Sequence, residues 1–179
     1  MDHKNTPPWQ TITVPTAKLP PSLEKLRAVI NDLDVEHAAR YKKSAYATYC
    51  NIFVTDVFDA LGFPPSHWVD PMNGSPAAQG KGVELNANGL MHWMRTYGPA
   101  QGWIHADRTT ALDAAARGHL VMAGWDSQSG RPGHVAIVLP EGTIAQAGGT
   151  NFVGKTIREG FGNLPVEFFI QSHGGKHNP

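Results

Sequence analysis

The apolar positions of this chain change their period part-way along it. After Ser22, a residue suited to cap a helix, Leu23, Leu26, Ile30 and Leu33 recur at helical spacing. That pattern predicts a helix which continues weakly through His37–Arg40. Cys50, Phe53, Val57 and Leu61 fall at i, i+3, i+7 and i+11, so a helix from Tyr49 to Leu61 carries them on one face. Asp56 and Asp59 lie on its other faces. Thr48 is placed to cap its start, and Gly62 followed by Pro64-Pro65 ends it. Residues 63–85 read as a long loop. A third helix is predicted over Asn86–Tyr97 and a short Ala-rich one over Thr110–Arg117, closed by Gly118. Beyond that point the helical period is lost. Leu120–Ala123 reads as a strand, Gly124–Gly133 as a polar turn, and His134–Leu139 as the strongest strand signal in the chain. Pro140-Glu141-Gly142 turns that strand into an antiparallel partner over Thr143–Ala147, and Val166–Gln171 reads as the last strand.

Helices first and an antiparallel meander afterwards imply an α+β fold, with N-terminal helices packed on a small antiparallel sheet. The length of 179 residues suits one domain. Residues 1–21, rich in Pro, Thr and Lys and without a period, read as an N-terminal arm that lies on the surface or is partly disordered. Residues 22–172 form the single domain, and 173–179 a C-terminal tail. No internal repeat is visible.

Composition narrows the function. Lys+Arg and Asp+Glu are 15 each, so the chain is formally neutral and offers no electrostatic footprint for nucleic acid. No apolar run approaches the roughly 20 residues of a membrane-spanning helix, so membrane insertion is not expected. The N-terminal residues lack the apolar core of a secretory signal, which implies synthesis in the cytoplasm. With one cysteine, an internal disulfide and a cysteine-rich zinc module are both excluded. No His-Glu-x-x-His or Cys-x-x-Cys motif of a zinc site occurs, and no metal or cofactor is predicted.

That single cysteine is either a packed core residue or a reactive one. Cys50 falls in the first turn of its predicted helix, where the dipole and free N–H groups favour a thiolate and are placed to hold an oxyanion. A nucleophilic cysteine needs a histidine to take and return a proton. Of nine histidines, His3, His173 and His177 lie in predicted tails, and His92 in a helix. His134 opens an apolar strand directly after Arg131-Pro132-Gly133, and His119 begins the preceding strand as its competitor. A third group must orient the imidazole, and Gln146 is the polar side chain in the middle of the partner strand. Taken alone, each of these three residues is equally well a packing or surface residue.

Together they look familiar. Tyr49-Cys50-Asn51-Ile52-Phe53-Val54 opening a helix, Gly118-His119-Leu120-Val121 and Gly133-His134-Val135-Ala136-Ile137-Val138 resemble the NlpC/P60 peptidases, papain-like enzymes that cut peptidoglycan stem peptides. More narrowly, the match is to the NlpC/P60-like amidase effectors of type VI secretion. The resemblance spans residues 44–150. It implies a papain-like fold, Cys50 as nucleophile, His134 as general base and acid, and Gln146 in the third place, where the family usually has another histidine. It also implies the peptidoglycan peptide as substrate, with cleavage between D-glutamate and meso-diaminopimelate or at a neighbouring amide. The protein would then be secreted, act in the periplasm of target cells and have a cognate immunity protein as partner. The chain departs from the family at Tyr49-Cys50-Asn51, where Asp-Cys-Ser is common, and at Gly118-His119, where Gly-Asp is common.

In such a mechanism Tyr49 and Asn51 are candidate side-chain donors to the oxyanion, and Trp125 a candidate wall of the substrate groove. Loops 63–85 and 124–133 would frame that groove; Trp68, Trp93 and Trp103 read better as core. Three alternatives stay open: a phage-type endolysin, a cysteine acyltransferase or deamidase on another substrate, and a binding module in which Cys50 is merely packed.

Overall fold

A computed structural model describes residues 3–12 and 23–172. The predicted cap Ser22 and the tail 173–179, with His173 and His177, lie outside them. The fold is α+β. Helices α1 (Leu23–Leu33), α2 (Cys50–Leu61), α3 (Ala87–Thr96), α4 (Arg108–Ala116) and α5 (Ile157–Phe161) surround a six-stranded antiparallel sheet. Its strands are β3 (Trp103–Ala106), β4 (Val121–Trp125), β5 (His134–Val138), β6 (Thr143–Gln146), β7 (Phe152–Thr156) and β8 (Glu167–Gln171). They lie in the order β3-β8-β4-β5-β6-β7, so the last strand among the described residues is an inner one. A separate two-residue ladder, β1 (Trp68–Val69) with β2 (Val83–Glu84), sits in the long loop. No helix among the described residues is long and apolar enough to cross a membrane.

Side chains alternate across the sheet and divide the core in two. Met122, Val135, Ile137, Ala145 and Phe169 pack beneath α1, α2 and α3. Val121, Ala123, Ala136, Val138, Ile144 and Ile170 pack beneath α4 and α5 on the other face. Helix α2 is buried almost all round, because α1 and α3 flank it and the sheet lies under it.

Several boundaries differ from the sequence reading. α1 stops at Leu33 instead of continuing through His37–Arg40, because Asp34 takes a left-handed φ of 51°. Its carboxylate holds His37 Nδ1 at 2.8 Å and Lys4 Nζ at 3.1 Å, and these bonds lower its pKa. Thr48 does not cap α2; Tyr49 occupies that position without a side-chain hydrogen bond. Asn86 and Asp107 cap α3 and α4 by accepting from Gly89 and Thr110 N–H. β4 runs two residues into the predicted polar turn, to Trp125. β3, β7 and α5 have no counterpart in the prediction.

The described part of the arm, 3–12, is docked on the domain. A single turn over His3–Asn5 meets the end of α1, with His3 Nε2 3.0 Å from the Asp32 carbonyl. Arg40 Nη1 donates to the carbonyls of Thr6 (3.4 Å) and Pro7 (2.8 Å). The same guanidinium donates from Nε and Nη2 to Asp56 on α2, at 2.7 and 2.9 Å, and Tyr41 Oη donates to Asp56 at 2.7 Å.

Candidate active site

Cys50 is the first residue of α2 and is 3% exposed. α2 delivers it to the point where β5 and β6 part. Val135 lies beyond the last β5–β6 pair, Ile137 with Ala145, and its backbone N–H acts on the Cys50 thiol to favour the thiolate. The N–H groups of Asn51 and Cys50 itself point the same way and favour a thiolate. Burial outweighs all three and pushes the thiol above its ordinary value. Desolvation of the anion exceeds what the helix N-terminus returns, which favours the reading in which His134 takes the proton from a thiol.

His134 precedes Val135 and opens β5. Its Nε2 stands 2.7 Å from Gln146 Oε1 on β6, while Gln146 Nε2 donates to the Thr150 carbonyl at 3.1 Å. The second bond fixes the amide with its oxygen toward the imidazole. Nε2 therefore carries the proton, and Nδ1 carries the lone pair. The Phe161 ring, 4.8 Å away and inclined at 55°, covers the imidazole from α5. Burial lowers the pKa of His134, and the bond to Gln146 offsets this in part.

Thus His134 and Gln146 are bonded to each other, and Cys50 lies against the backbone of the residue after His134. No Cys50–His134 hydrogen bond occurs among the described residues. Both groups are neutral at rest, a thiol and a free base.

The other predicted residues have different places. Asn51 Nδ2 donates to the Leu85 carbonyl at 2.8 Å, and the side chain is buried. One of its two amide N–H groups thus ties α2 to the chain ahead of α3. Tyr49 is half-buried, packed on the core at the cap position. Trp125 pairs with His134 across the β4–β5 ladder but packs with the cluster under α4 and α5. His119, the competitor, has its Nδ1 3.3 Å from the Gln171 carbonyl. Trp93 and Trp103 are core residues whose indoles donate to the Gly74 and Pro64 carbonyls.

A cleft of about 500 Å³ borders the site. One wall is 44–48, ending two residues before Cys50; the others are 86–88 and 130–133, ending one residue before His134. Loop 63–85, predicted to frame the groove, contributes nothing to this lining. Asn88 is the residue that sequence reasoning missed. Its Nδ2 donates to the Arg131 carbonyl at 2.9 Å and its Oδ1 accepts from Ser127 N–H at 3.1 Å, so it holds the β4–β5 loop beside His134. No group of three or more His, Cys, Asp or Glu side chains stands within metal-ligating reach among the described residues.

Two glycines leave room for the histidine and glutamine. A Cβ at Gly148 would lie 3.3 Å from both His134 Cε1 and Gln146 Nε2. A Cβ at Gly160 would lie 2.6 Å from Gln146 Oε1 and would also strike the end of Ile144. Gly160→Ala is therefore expected to dislodge Gln146 and break its 2.7 Å bond to His134. Only flexible side-chain ends must move, so the thermal midpoint should stay within about 3 °C. A His134 imidazole NMR signal unchanged from wild type would show that Gln146 keeps its bond in the variant.

The chain matches neither any known protein-family model nor any curated protein sequence.

Proposed function

We propose that this protein is a cysteine hydrolase of papain-like, NlpC/P60 type that cleaves an amide bond of the peptidoglycan stem peptide. The observation that carries the reading is the bond from His134 Nε2 to Gln146, which frees Nδ1 as a base one residue from the Val135 N–H that favours the Cys50 thiolate. The helix-borne cysteine, strand-borne histidine and orienting amide come in the order the family resemblance implies.

In this reading His134 Nδ1 takes the thiol proton as Cys50 Sγ attacks the amide carbonyl. The tetrahedral oxyanion is held by backbone N–H groups at the start of α2, that of Cys50 among them. Collapse breaks the C–N bond, and His134 gives its proton to the departing amine. His134 then takes a proton from water, whose hydroxide attacks the thioester; a carboxylate leaves and Cys50 regains its proton. Gln146 orients the imidazole without neutralising its charge, so the imidazolium is formed only transiently.

The protonation states predict a pH profile. kcat/KM reports the free enzyme. His134 is held below its ordinary 6.5 and Cys50 above its ordinary 9.0, so the neutral pair persists across the interval between. kcat/KM is expected to be level from below pH 6.5 to above pH 9.0. On the acid side it falls when His134 gains a proton and can accept no other. On the alkaline side it falls as the thiol proton needed by the leaving amine is lost. An acid limb centred above pH 6.5 would contradict this assignment.

The biological setting proposed is that of an antibacterial type VI secretion effector acting in the periplasm of a target cell, with an immunity protein as its partner. The reading is tested by incubating the protein with purified peptidoglycan and identifying the released fragments by mass spectrometry. Fragments cut between D-glutamate and meso-diaminopimelate support it, and the absence of any new fragment refutes it. One observation favours a rival: Cys50 is as deeply buried as a packed core cysteine in a binding module. A binding module would retain peptidoglycan without cutting it.

A further inference from the structure

The loop that anchors Gln146 is held by one side chain. Residues 147–151 join β6 to β7 beyond the ladder pair Gln146–Phe152. Among the described residues, these five make no backbone–backbone hydrogen bond outside the ladder. Gly148 and Gly149 stand in the middle of them, and nothing lies within 4 Å of the place a Gly149 Cβ would take. Left to itself, such a stretch has wide backbone freedom. Yet its Thr150 carbonyl decides which way Gln146 faces. A carbonyl only accepts, so with Nε2 donating to it at 3.1 Å the amide must present Oε1 to His134.

Asn151 supplies what the loop lacks. Its Oδ1 accepts from Gly148 N–H at 3.0 Å, across the turn. Its Nδ2 donates to the Val35 and Tyr41 carbonyls, both at 2.9 Å. Both amide hydrogens are therefore spent on the segment between α1 and α2. That segment is itself clamped to α2, since Arg40 and Tyr41 bond Asp56. Asp56 lies on the helix that begins with Cys50. A line of contacts thus runs from the cysteine's helix through 35–41 and Asn151 to Thr150, Gln146 and His134.

We infer that Asn151 is a positioning residue: by holding the Thr150 carbonyl in place it fixes the Gln146 amide, and so keeps the proton of His134 on Nε2. Its value for catalysis rests on the hydrolase reading; its effect on the tautomer does not. With the loop released, Gln146 is free to turn its amide over. Its Nε2 then donates to the imidazole, the ring nitrogen facing it must accept, and the ring proton moves to Nδ1. In that form the nitrogen assigned as the base has no lone pair with which to take the Cys50 proton.

The test is nitrogen NMR of the His134 ring, which reads the tautomer without any substrate. Spectra are taken at a pH where the ring is neutral, and its signals are assigned by their loss in His134→Gln. Wild type should show one form, with Nε2 protonated and Nδ1 bare. Asn151→Ala should lower the ratio of that form to the other by about fivefold or more, the worth of one hydrogen bond. In a Gln146→Leu background, which has no amide to turn, Asn151→Ala should change the ratio no further. A ratio unchanged in Asn151→Ala overturns the inference. So does an equal change with and without Gln146, which would mean a general loosening. Should Asn151→Ala not fold, the wild type decides. One tautomer and slow solvent exchange of the Gln146 side-chain N–H protons support the role; two tautomers, or exchange as fast as in an exposed amide, overturn it. Fragment release from peptidoglycan separates the two readings. Fragments from wild type with a tautomer indifferent to Asn151 sink the inference alone. No fragments, with the tautomer shifting as expected, sink the hydrolase reading and leave Asn151 its hold on His134.

Discussion

Under the proposed mechanism Cys50→Ala is expected to abolish release of peptidoglycan fragments, with a loss of about 10⁴-fold or more in turnover, because that mechanism has no other nucleophile to form its acyl intermediate. The packing cost is small by comparison. The side chain is 3% exposed and loses one sulfur atom, so stability should fall by about 1 kcal/mol and the protein should remain folded. The two effects separate cleanly: circular dichroism and thermal melting near wild type, fragments absent. Cys50→Ser is the stricter control, since it keeps the volume but replaces the thiol with a hydroxyl that a neutral imidazole activates far less readily. Equal digestion by wild type and Cys50→Ala would remove Cys50 from the mechanism, whatever the substrate proves to be.

The largest effect on stability is expected at Asp56. Arg40 and Asp56 are 2% and 4% exposed, and the carboxylate accepts from two guanidinium nitrogens and from Tyr41. Burial pushes the Asp56 carboxyl upward and Arg40 pulls it back; the same burial pushes the Tyr41 hydroxyl far upward, which keeps it a donor. Asp56→Ala leaves a buried cation and a buried hydroxyl without their acceptor. Breaking a buried ion pair from one side costs about 3–5 kcal/mol. For a domain of this size that is roughly a 10 °C drop in thermal midpoint. Because Arg40 also holds the carbonyls of Thr6 and Pro7, the N-terminal segment should become protease-sensitive in the same variant. Removing both charges, Arg40→Met with Asp56→Leu, should recover much of the loss, since the unpaired charge dominates the penalty. A change below about 1 kcal/mol in Asp56→Ala would mean that water or another group compensates.

What the sequence made legible follows from the range of the interactions. The stripe Cys50, Phe53, Val57, Leu61 is local, and it placed α2 to within one residue. The pairing of His134 with Gln146 was legible for a similar reason. A tight turn at Pro140–Gly142 fixes the register of β5 on β6, and residues on the same face then become diagonal neighbours. By contrast, β7 contains Gly154 and Lys155 and is exposed over most of its length as an edge strand, so no alternation marks it. β3 has only four residues, of which Ile104 is half exposed. The Thr48 cap failed because a cap is set by backbone geometry at the helix entrance, which residue type alone does not determine. Asn51 and Asn88 have the same residue type and opposite uses: one is buried in a structural bond to Leu85, the other holds the loop beside His134. Nothing in their local sequence distinguishes them, because both partners come from distant segments.

The place of β8 in the sheet sets the order in which this protein can become competent. The final strand of the described chain lies between β3 and β4, not at an edge. Asn151 likewise donates to the carbonyls of Tyr41 and Val35, 110 and 116 residues earlier. A chain emerging from the ribosome N-terminus first therefore carries Cys50 long before it carries Val135, Gln146 or the strand that closes the sheet. Contacts of such sequence separation form late. The candidate hydrolase is thus assembled only when translation of residues up to Gln171 is finished, so an interrupted or truncated product cannot build the sheet on which its active site depends.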